Sequence, residues 1–269
     1  MSLDLTSDRF GTQPPRGSQP SHGSQPSHGP QAGEKLKTGA ETYSSAIADA
    51  QNYMNWLISA FRPYLKGRIV EVGIGHGHYC TLLQQYGDYL GVDIDADSVA
   101  EARALFPTAK FATCDILDEG RLKALLPEGA DAIISINVLE HIEDDARAVG
   151  NLIDALKPGG HLLLSIPALM MLYNDLDRLA GHYRRYTTAR LRALLTDRPV
   201  EIVRLCYFNP IGGLGWWVNR LKRHESLNSD GVNGQIRFFD RYVVPVSRAI
   251  DPVFRPFFGQ SVTCIARRL

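Results

Sequence analysis

The sequence predicts an α/β protein with a doubly wound, mostly parallel sheet of seven strands and a helical insertion before the last strand. Short β-type runs alternate with helix-type runs from residue 68 onward, which requires crossover connections and a sheet covered on both faces. A glycine-rich turn directly follows the first strand. The chain has 269 residues, 44% of them hydrophobic, and can therefore bury the core that a seven-stranded sheet requires.

Residues 1–38 are predicted to form a disordered tail that is rich in Pro, Gly and Ser. They repeat Gly-Ser-Gln-Pro-Ser-His at 17–22 and 23–28 and contain few large apolar side chains. Burial there cannot offset a backbone entropy cost of about 1–2 kcal/mol per residue. The two tail histidines could bind a metal weakly, but a solvated linker is the favoured interpretation. Residues 39–269 are predicted to form the folded domain.

The folded domain is expected to begin with a helical segment over 39–65. Its apolar residues recur at spacings of three and four: Tyr53, Trp56, Leu57 and Phe61. The predicted strands then cover 68–72, 89–92, 110–113, 132–136, 161–166, 201–208 and 262–267. Between the fourth and fifth strands, 144–156 is a predicted helix that Pro158, Gly159 and Gly160 should stop. In such sheets, ligands bind beyond the carboxyl ends of the strands.

The turn after the first strand has three glycines at alternate positions: Gly73, Gly75 and Gly77. Glycine lets the backbone turn tightly and lets a ligand approach closely. A dinucleotide fingerprint would need its third glycine at position 78, which is a histidine. Asp93 stands 20 residues after Gly73, where a carboxylate can accept ribose hydroxyls. Asp95 is a second candidate for that role.

Further segments follow in order at 111–116, 131–142 and 156–164. With the glycine turn, they resemble class I S-adenosylmethionine-dependent methyltransferases over residues 66–168. The resemblance implies a Rossmann-like fold whose last strand is antiparallel, and S-adenosylmethionine as the cofactor. It also implies that one residue binds the methionine ammonium group and that the glycine turn passes beneath the methionine and ribose of the cofactor. Residues at the ends of the following strands would also contact the cofactor. The residues so implicated are Glu71, Gly73, Gly75, Gly77, Asp93, Asp115, Ile116 and Asn137.

Residues 173–187 follow the fifth strand, where an acceptor would approach, and combine acids, arginines, tyrosines and a histidine. His182 is a candidate general base, since an unperturbed histidine titrates near pH 6.5. Tyr173, Arg184 and Arg185 are candidate acceptor ligands, because arginine binds phosphate or carboxylate. Alternatively, the arginines pair with nearby acids such as Asp175 and Asp177 to pin the loop. The segment resembles a Gly-His-Tyr-Arg-Arg-Tyr stretch in one branch of these methyltransferases. His141 is expected to pack beside the cofactor, and no metal is expected.

Residues 209–260 separate the last two strands and mix aromatic with basic side chains, among them Trp216, Phe238 and Arg241. They could form a lid over a hydrophobic or anionic acceptor, or rest on a membrane surface. A helical cap that buries its own apolar face is the simpler alternative. The cap and the lid can coexist.

Composition narrows the function classes. Lys plus Arg and Asp plus Glu are both 29, which disfavours nucleic-acid binding because such proteins usually carry excess positive charge. The four scattered cysteines are expected to be free thiols in a reducing compartment, and a cytoplasmic location is predicted. A small-molecule acceptor is the favoured substrate. A nucleic-acid or protein substrate, a nicotinamide-dependent oxidoreductase and a non-catalytic partner subunit are the alternatives. The sequence does not indicate the oligomeric state.

Overall fold

A computed structural model describes residues 50–219 and 230–269 of the chain. The predicted tail 1–38, residues 39–49 of the helical segment and residues 220–229 of the insertion lie outside the described residues. Among the helices of the described ranges, none combines the length and the apolar character needed to cross a bilayer.

Seven strands form one mixed sheet in the order β3-β2-β1-β4-β5-β7-β6. The strands are β1 (Arg68–Val72), β2 (Asp88–Asp93), β3 (Lys110–Thr113), β4 (Ala130–Ile136), β5 (Leu156–Pro167), β6 (Val200–Phe208) and β7 (Ser261–Arg268). β7 runs antiparallel to both of its neighbours, and the pairs from β3 to β5 are parallel. The predicted fold class is confirmed, including the antiparallel last strand.

Helices cover both faces of this sheet. They are α1 (Gln51–Phe61), α2 (Cys80–Leu83), α3 (Ala96–Leu105), α4 (Arg121–Leu125), α5 (Asp145–Asp154), α6 (Asp175–Ala180), α7 (Thr188–Leu195), α8 (Pro210–Asn219), α9 (Asp230–Phe238) and α10 (Val244–Phe254). Successive strand residues point to opposite faces. Val70 and Ile133 therefore belong to one buried cluster, and Ile69 and Ile134 belong to the other. The sheet is buried on both sides.

The strand order reverses between β1 and β4, because the chain passes from β1 outward to β3 and then returns. The carboxyl ends of β1 to β4 meet at one edge of the sheet, and the crevice at such a switch point is where ligands bind. The strand ends that the sequence singled out therefore lie side by side.

The boundary between α5 and β5 differs from the prediction. The helix ends at Asp154 rather than at 156, and Leu156 already pairs with Ala130. Residues 158–160 thus follow the start of β5 and bulge out of its ladder, since the next pair after Leu156 with Ala130 is His161 with Ala132. A Cβ at Gly160 would lie 2.8 Å from the carbonyl oxygen of Ala130, so the close approach of two strands explains this glycine.

The helical insertion between β6 and β7 contains α8, α9, a π-helical turn and α10. It is joined to the start of the domain by Asp240. The Asp240 carboxylate accepts hydrogen bonds from the amides of Asn52 and Tyr53 at 3.1 and 2.8 Å. Asp240 therefore caps α1, whose own N-cap residue Ala50 supplies no side-chain hydrogen bond.

Candidate active site

The glycine turn after β1 depends on backbone conformations that other residues rarely adopt. Gly73, Gly75 and Gly77 have φ angles of 75°, 49° and 72°, in the left-handed region that favours glycine. A Cβ at Gly73 would lie 2.3 Å from a methyl carbon of Val138, in the loop after β4. The glycine at 73 therefore lets the turn pack against the neighbouring strand end.

Asp93 ends β2 and holds the glycine turn in place. Its Oδ2 atom accepts a hydrogen bond from the amide of Gly75 at 3.0 Å, and Oδ1 accepts one from the amide of Asp95 at 2.9 Å. The side chain is buried, and burial raises the pKa of its carboxyl. Each carboxylate oxygen can accept a second hydrogen bond, so Asp93 can still bind a ligand. Asp95, the second candidate, instead caps α3 by accepting from the amide of Ser98.

Glu71 lies on β1, next to the glycine turn, and is 3% exposed. Its Oε2 atom accepts a hydrogen bond from the hydroxyl of Tyr89. Burial raises the pKa of Glu71 to about 8, and repulsion from Asp93 adds to this rise. A buried carboxyl of this kind binds a cation favourably, because the cation compensates for lost hydration.

The other predicted cofactor residues lie at the ends of β3 and β4. Asp115 is half-buried, and its carboxylate accepts from the amide of Leu117 at 2.8 Å. Ile116 is buried beside it. Asn137 has a positive φ of 54°, and its amide donates to the carbonyl of Ser165. The structure thus brings all eight predicted cofactor residues to the carboxyl edge of four adjacent strands.

A second polar cluster surrounds His182, beyond the end of β5. Nδ1 of His182 lies 2.7 Å from Oδ1 of Asp177. The backbone amide of His182 also donates to the backbone carbonyl of Asp177. The Asp177 carboxylate also accepts from Nε of Arg185 at 2.8 Å and from Nε1 of Trp216 at 3.2 Å. Burial alone would raise the pKa of Asp177, but Arg185 and His182 hold it at about 2. A fixed anion therefore orients the imidazole.

Glu140 and His141 come from the loop after β4 and face the same cluster. Nε2 of His182 lies 3.9 Å from Oε1 of Glu140. The Glu140 side chain is fully buried, and burial raises the pKa of its carboxyl to about 7. The rings of His141 and His182 meet edge to face with centroids 4.7 Å apart. Burial lowers the pKa of His141 to about 3, so this ring is neutral near pH 7.

The predicted acceptor ligands are engaged with the protein. Arg185 is buried, bonds Asp177 and donates to the carbonyl of Ala168. Its position argues against the predicted contact with an acceptor and agrees with the alternative, in which it pins the loop. Arg184 donates to the carbonyls of Ile142 and Glu143 and pairs with Asp145 at 3.1 Å, but stays partly exposed. The hydroxyl of Tyr173 donates to the carbonyl of His182.

Sequence reasoning missed Glu140, and it treated Asp177 only as a possible partner for an arginine. It also did not connect Trp216 with this cluster. Trp216 lies on α8 of the insertion, and the guanidinium of Arg185 lies 5.3 Å from the centre of its ring. The available signal was the pair of adjacent charged residues, Glu140 and His141, inside an otherwise apolar motif.

A family model of the methyltransferase domain matches residues 46–205. This segment contains the glycine turn, Glu71, Asp93 and, apart from Trp216, the cluster around His182. The chain belongs to this methyltransferase family. The predicted resemblance is confirmed at that level, while the branch marked by the Gly-His-Tyr-Arg-Arg-Tyr segment stays a prediction.

Methyltransferases of mycobacteria are similar to part of the chain. A Mycolicibacterium smegmatis protein named "Probable S-adenosylmethionine-dependent methyltransferase" is 28% identical over 138 residues, 50% of this chain and 52% of that protein. A Mycobacterium tuberculosis protein named "Uncharacterized methyltransferase" is 32% identical over 137 residues, 49% of this chain and 67% of that protein. The chain thus spans about half the length of the first relative.

Solved methyltransferase structures share the fold. An S-adenosylmethionine-dependent methyltransferase from Mesorhizobium loti has a TM-score of 0.53 at 22% identity and covers 82% of this chain and 100% of that chain. One from Archaeoglobus fulgidus has a TM-score of 0.52 at 18% identity and covers 81% of this chain and 94% of that chain. At these identities the likeness concerns the fold, which is the one predicted.

Proposed function

We propose that this methyltransferase-family chain uses S-adenosylmethionine to methylate a small-molecule acceptor. One observation carries the proposal. Two buried acids lie at the carboxyl ends of neighbouring strands, beside the switch point of the sheet: Glu71 next to the last residue of β1, and Asp93 at the end of β2. The family match supports this interpretation, because it covers the whole of this edge.

The chemistry of these groups fits the cofactor. S-adenosylmethionine carries an ammonium group, a sulfonium and a ribose with two hydroxyl donors. Glu71 has a pKa raised by burial to about 8, so a cation beside it would favour its ionised form. Asp93 keeps acceptor capacity after binding the amides of Gly75 and Asp95. We therefore assign Glu71 to the ammonium group, Asp93 to the ribose, and Asp115 and Ile116 to the adenine side. Asn137 follows β4, on the opposite side of β1 from β3, and we assign it to the methionine side.

The bound cofactor supplies an activated methyl group on sulfur, and the protein supplies alignment. Holding the acceptor in line with the methyl–sulfur bond can lower the activation barrier by up to about 7–11 kcal/mol. On the acceptor side we propose His182 as the proton acceptor. Asp177 occupies Nδ1 of this ring at 2.7 Å, which leaves Nε2 to take a proton from the acceptor.

The acceptor itself is proposed to be hydrophobic or anionic. Trp216 connects the insertion to the loop of His182, which supports a lid role for residues 209–260. Arg184 and Tyr173 are the predicted acceptor ligands that keep some exposure, so we retain both and set the buried Arg185 aside. The insertion also exposes Phe238, whose side chain is 61% exposed, and this supports peripheral contact with a membrane surface.

Calorimetric titration tests the cofactor proposal against the oxidoreductase alternative. S-adenosylhomocysteine should bind the purified protein, and NAD should not. Binding of NAD without S-adenosylhomocysteine would reverse the assignment, and binding of neither would favour a non-catalytic subunit. A tritiated-methyl survey of extract fractions, with products identified by mass spectrometry, would then reveal the acceptor. Label in nucleic acid or protein would contradict the small-molecule proposal.

The proposed location is a reducing compartment such as the cytoplasm. All four cysteines lie in the described residues as free thiols, and Cys80, Cys114 and Cys264 are buried. Buried free thiols persist where disulfides are kept reduced.

A further inference from the structure

Three potential metal ligands meet where the loop after β4 faces residues 173–187, the segment that we call the acceptor loop. Glu140, His141 and His182 each offer one ligand atom, and these atoms all lie within 4.8 Å of one another. Two come from the loop after β4, and the third comes from the loop after α6. We propose that this cluster, the Glu140 site, binds one divalent first-row transition-metal ion such as Zn²⁺, Fe²⁺ or Mn²⁺. The inference departs from the sequence prediction of no metal.

The strongest support is the buried, unpartnered carboxyl of Glu140. Its side chain is fully buried, and within the described ranges no other residue donates a hydrogen bond to either carboxylate oxygen. A buried carboxyl left without donors is costly, because no group replaces its lost hydration. A cation bound between Glu140 and the two rings would compensate for that loss.

Both histidines present a nitrogen to the same space. Nδ1 of His141 has no hydrogen-bond partner among the described side chains and backbone, although it is buried. In His182 the available nitrogen is Nε2, because Nδ1 lies 2.7 Å from the Asp177 carboxylate. Neutral imidazole binds metals through either ring nitrogen.

Asp177 orients one of the three ligands of the Glu140 site, His182. A metal-binding histidine almost always donates its other N–H to a carboxylate or carbonyl, which fixes the tautomer and raises the basicity of the ligand nitrogen. His182 and Asp177 have this arrangement. Asp177 is itself held by Arg185 and Trp216, so the orientation of His182 is set before any ion arrives.

The ligand set selects the class of ion. Two imidazole nitrogens and one carboxylate suit Zn²⁺, Fe²⁺ and Mn²⁺, whereas Mg²⁺ and Ca²⁺ prefer oxygen ligands throughout. Bonds of about 2.0–2.2 Å place ligand atoms about 3 Å apart around an ion. The three side chains would therefore move inward slightly on loading. Three protein ligands leave coordination positions open for water or an acceptor oxygen.

The ion and a proton would compete for the same lone pair on Nε2 of His182. His182 therefore acts as a base only in the metal-free protein. In the loaded protein the ion would instead lower the pKa of a bound acceptor hydroxyl. The site does not depend on the cofactor, so its test is separate from that of methyl transfer.

The experiment uses the full chain, stripped with a chelator and dialysed against metal-free buffer. Zn²⁺, Mn²⁺ and, under anaerobic conditions, Fe²⁺ are titrated by calorimetry. Co²⁺ is added separately as a spectroscopic probe of the ligands. The variants are Glu140→Gln and Asp177→Asn, and melting with and without metal shows that each variant folds. The matched control is His22→Ala with His28→Ala, which removes the tail histidines that could bind metal.

The wild type and the tail control should bind one equivalent of at least one ion and melt at a higher temperature with it. The Glu140→Gln variant should lose this binding, and Asp177→Asn should weaken it about 10–100-fold. The Co²⁺ spectrum should show imidazole ligation. The proposal is overturned if the wild type binds no stoichiometric ion, if the tail control abolishes binding, or if folded Glu140→Gln binds like the wild type.

Discussion

Nδ1 of His182 lies 2.7 Å from Oδ1 of Asp177, so a buried carboxylate fixes the orientation of the one histidine that faces Glu140 from the acceptor loop. Burial would by itself raise the pKa of Asp177, but Arg185 and His182 hold it at about 2. The anion therefore persists across the physiological range. Every proposal on the acceptor side depends on this pair.

Replacing His182 should separate turnover from cofactor binding. The His182→Ala variant should lose about 10²–10⁴-fold in turnover, the usual contribution of a positioned base, with the affinity for S-adenosylhomocysteine nearly unchanged. His161→Ala is the matched control, because His161 lies in the middle of β5, where it pairs with Ala132 near the amino end of β4 and packs against Tyr64. Single-turnover kinetics and calorimetry measure the two effects. Wild-type turnover in His182→Ala would show that the base assignment is wrong.

Asp93 and Asp95 can be distinguished by matched amide variants. Asp93→Asn should weaken S-adenosylhomocysteine binding about 10–100-fold, because a charged acceptor is lost. Asp95→Asn should leave the affinity close to that of the wild type, since asparagine also caps a helix and Asp95 caps α3. Calorimetry at one pH measures both. The opposite ranking would assign the ribose to Asp95.

Gly73→Ala should destabilise the protein for two reasons. Its φ of 75° is costly for alanine, and the added Cβ would lie 2.3 Å from a methyl of Val138. Together these effects should cost about 2–4 kcal/mol in the free energy of unfolding. Gly159→Ala is the control, because Gly159 has a φ of 78° but nothing within 4 Å of a new Cβ.

Urea denaturation measures the loss in the free energy of unfolding for both glycine variants. The loss in Gly159→Ala reports the backbone effect alone, and the additional loss in Gly73→Ala reports the steric effect. Adding Val138→Ala to Gly73→Ala should recover the steric part. Equal losses in Gly73→Ala and Gly159→Ala would contradict the packing argument.

Glu71 should make the ligand-free protein less stable as the pH rises. Burial holds its folded-state pKa at about 8, above the ordinary 4.5. The unfolded chain therefore releases this proton first, and folding stability declines between about pH 4.5 and pH 8. Glu71→Gln should remove the decline and gain stability over the wild type from pH 5 to pH 8. Urea denaturation at both values measures this, and Glu128→Gln, at an exposed position, is the control.

Glu71 should also release a proton when the cofactor product binds. An ammonium group beside it would favour the carboxylate, so up to about one proton should leave per ligand near pH 7. Calorimetry in buffers of different ionisation enthalpy measures this release. Glu71→Gln should show a smaller release, and an unchanged value would place the ammonium group elsewhere.

The exposed aromatic residues of the insertion should govern any binding to anionic vesicles. Phe238 and Phe257 are 61% and 77% exposed, so changing both to serine should weaken binding about tenfold or more. Leu105→Ser is the control, since Leu105 is exposed on α3. Vesicle sedimentation measures the effect. Equal binding by both variants would remove the support for a membrane role.

The sheet and the cofactor edge could be predicted because their signals are local. Gly73 and Asp93 are close in sequence and follow strands whose apolar runs are evident. The acceptor cluster could not be predicted in the same way. Glu140 and His182 are 42 residues apart, and Trp216 reaches Asp177 across 39 residues. Their meeting depends on how loops cross the edge of the sheet, which residue spacing does not encode.

Asp240 has a consequence for the order in which the protein is made. It supplies the carboxylate that receives the first amides of α1, from a position 188 residues later in the chain. During translation, α1 is therefore synthesised long before Asp240 and lacks this cap until Asp240 has left the ribosome. Nascent chains that stop before residue 240 should leave this helix frayed and open to proteases, even when the early strands have already paired.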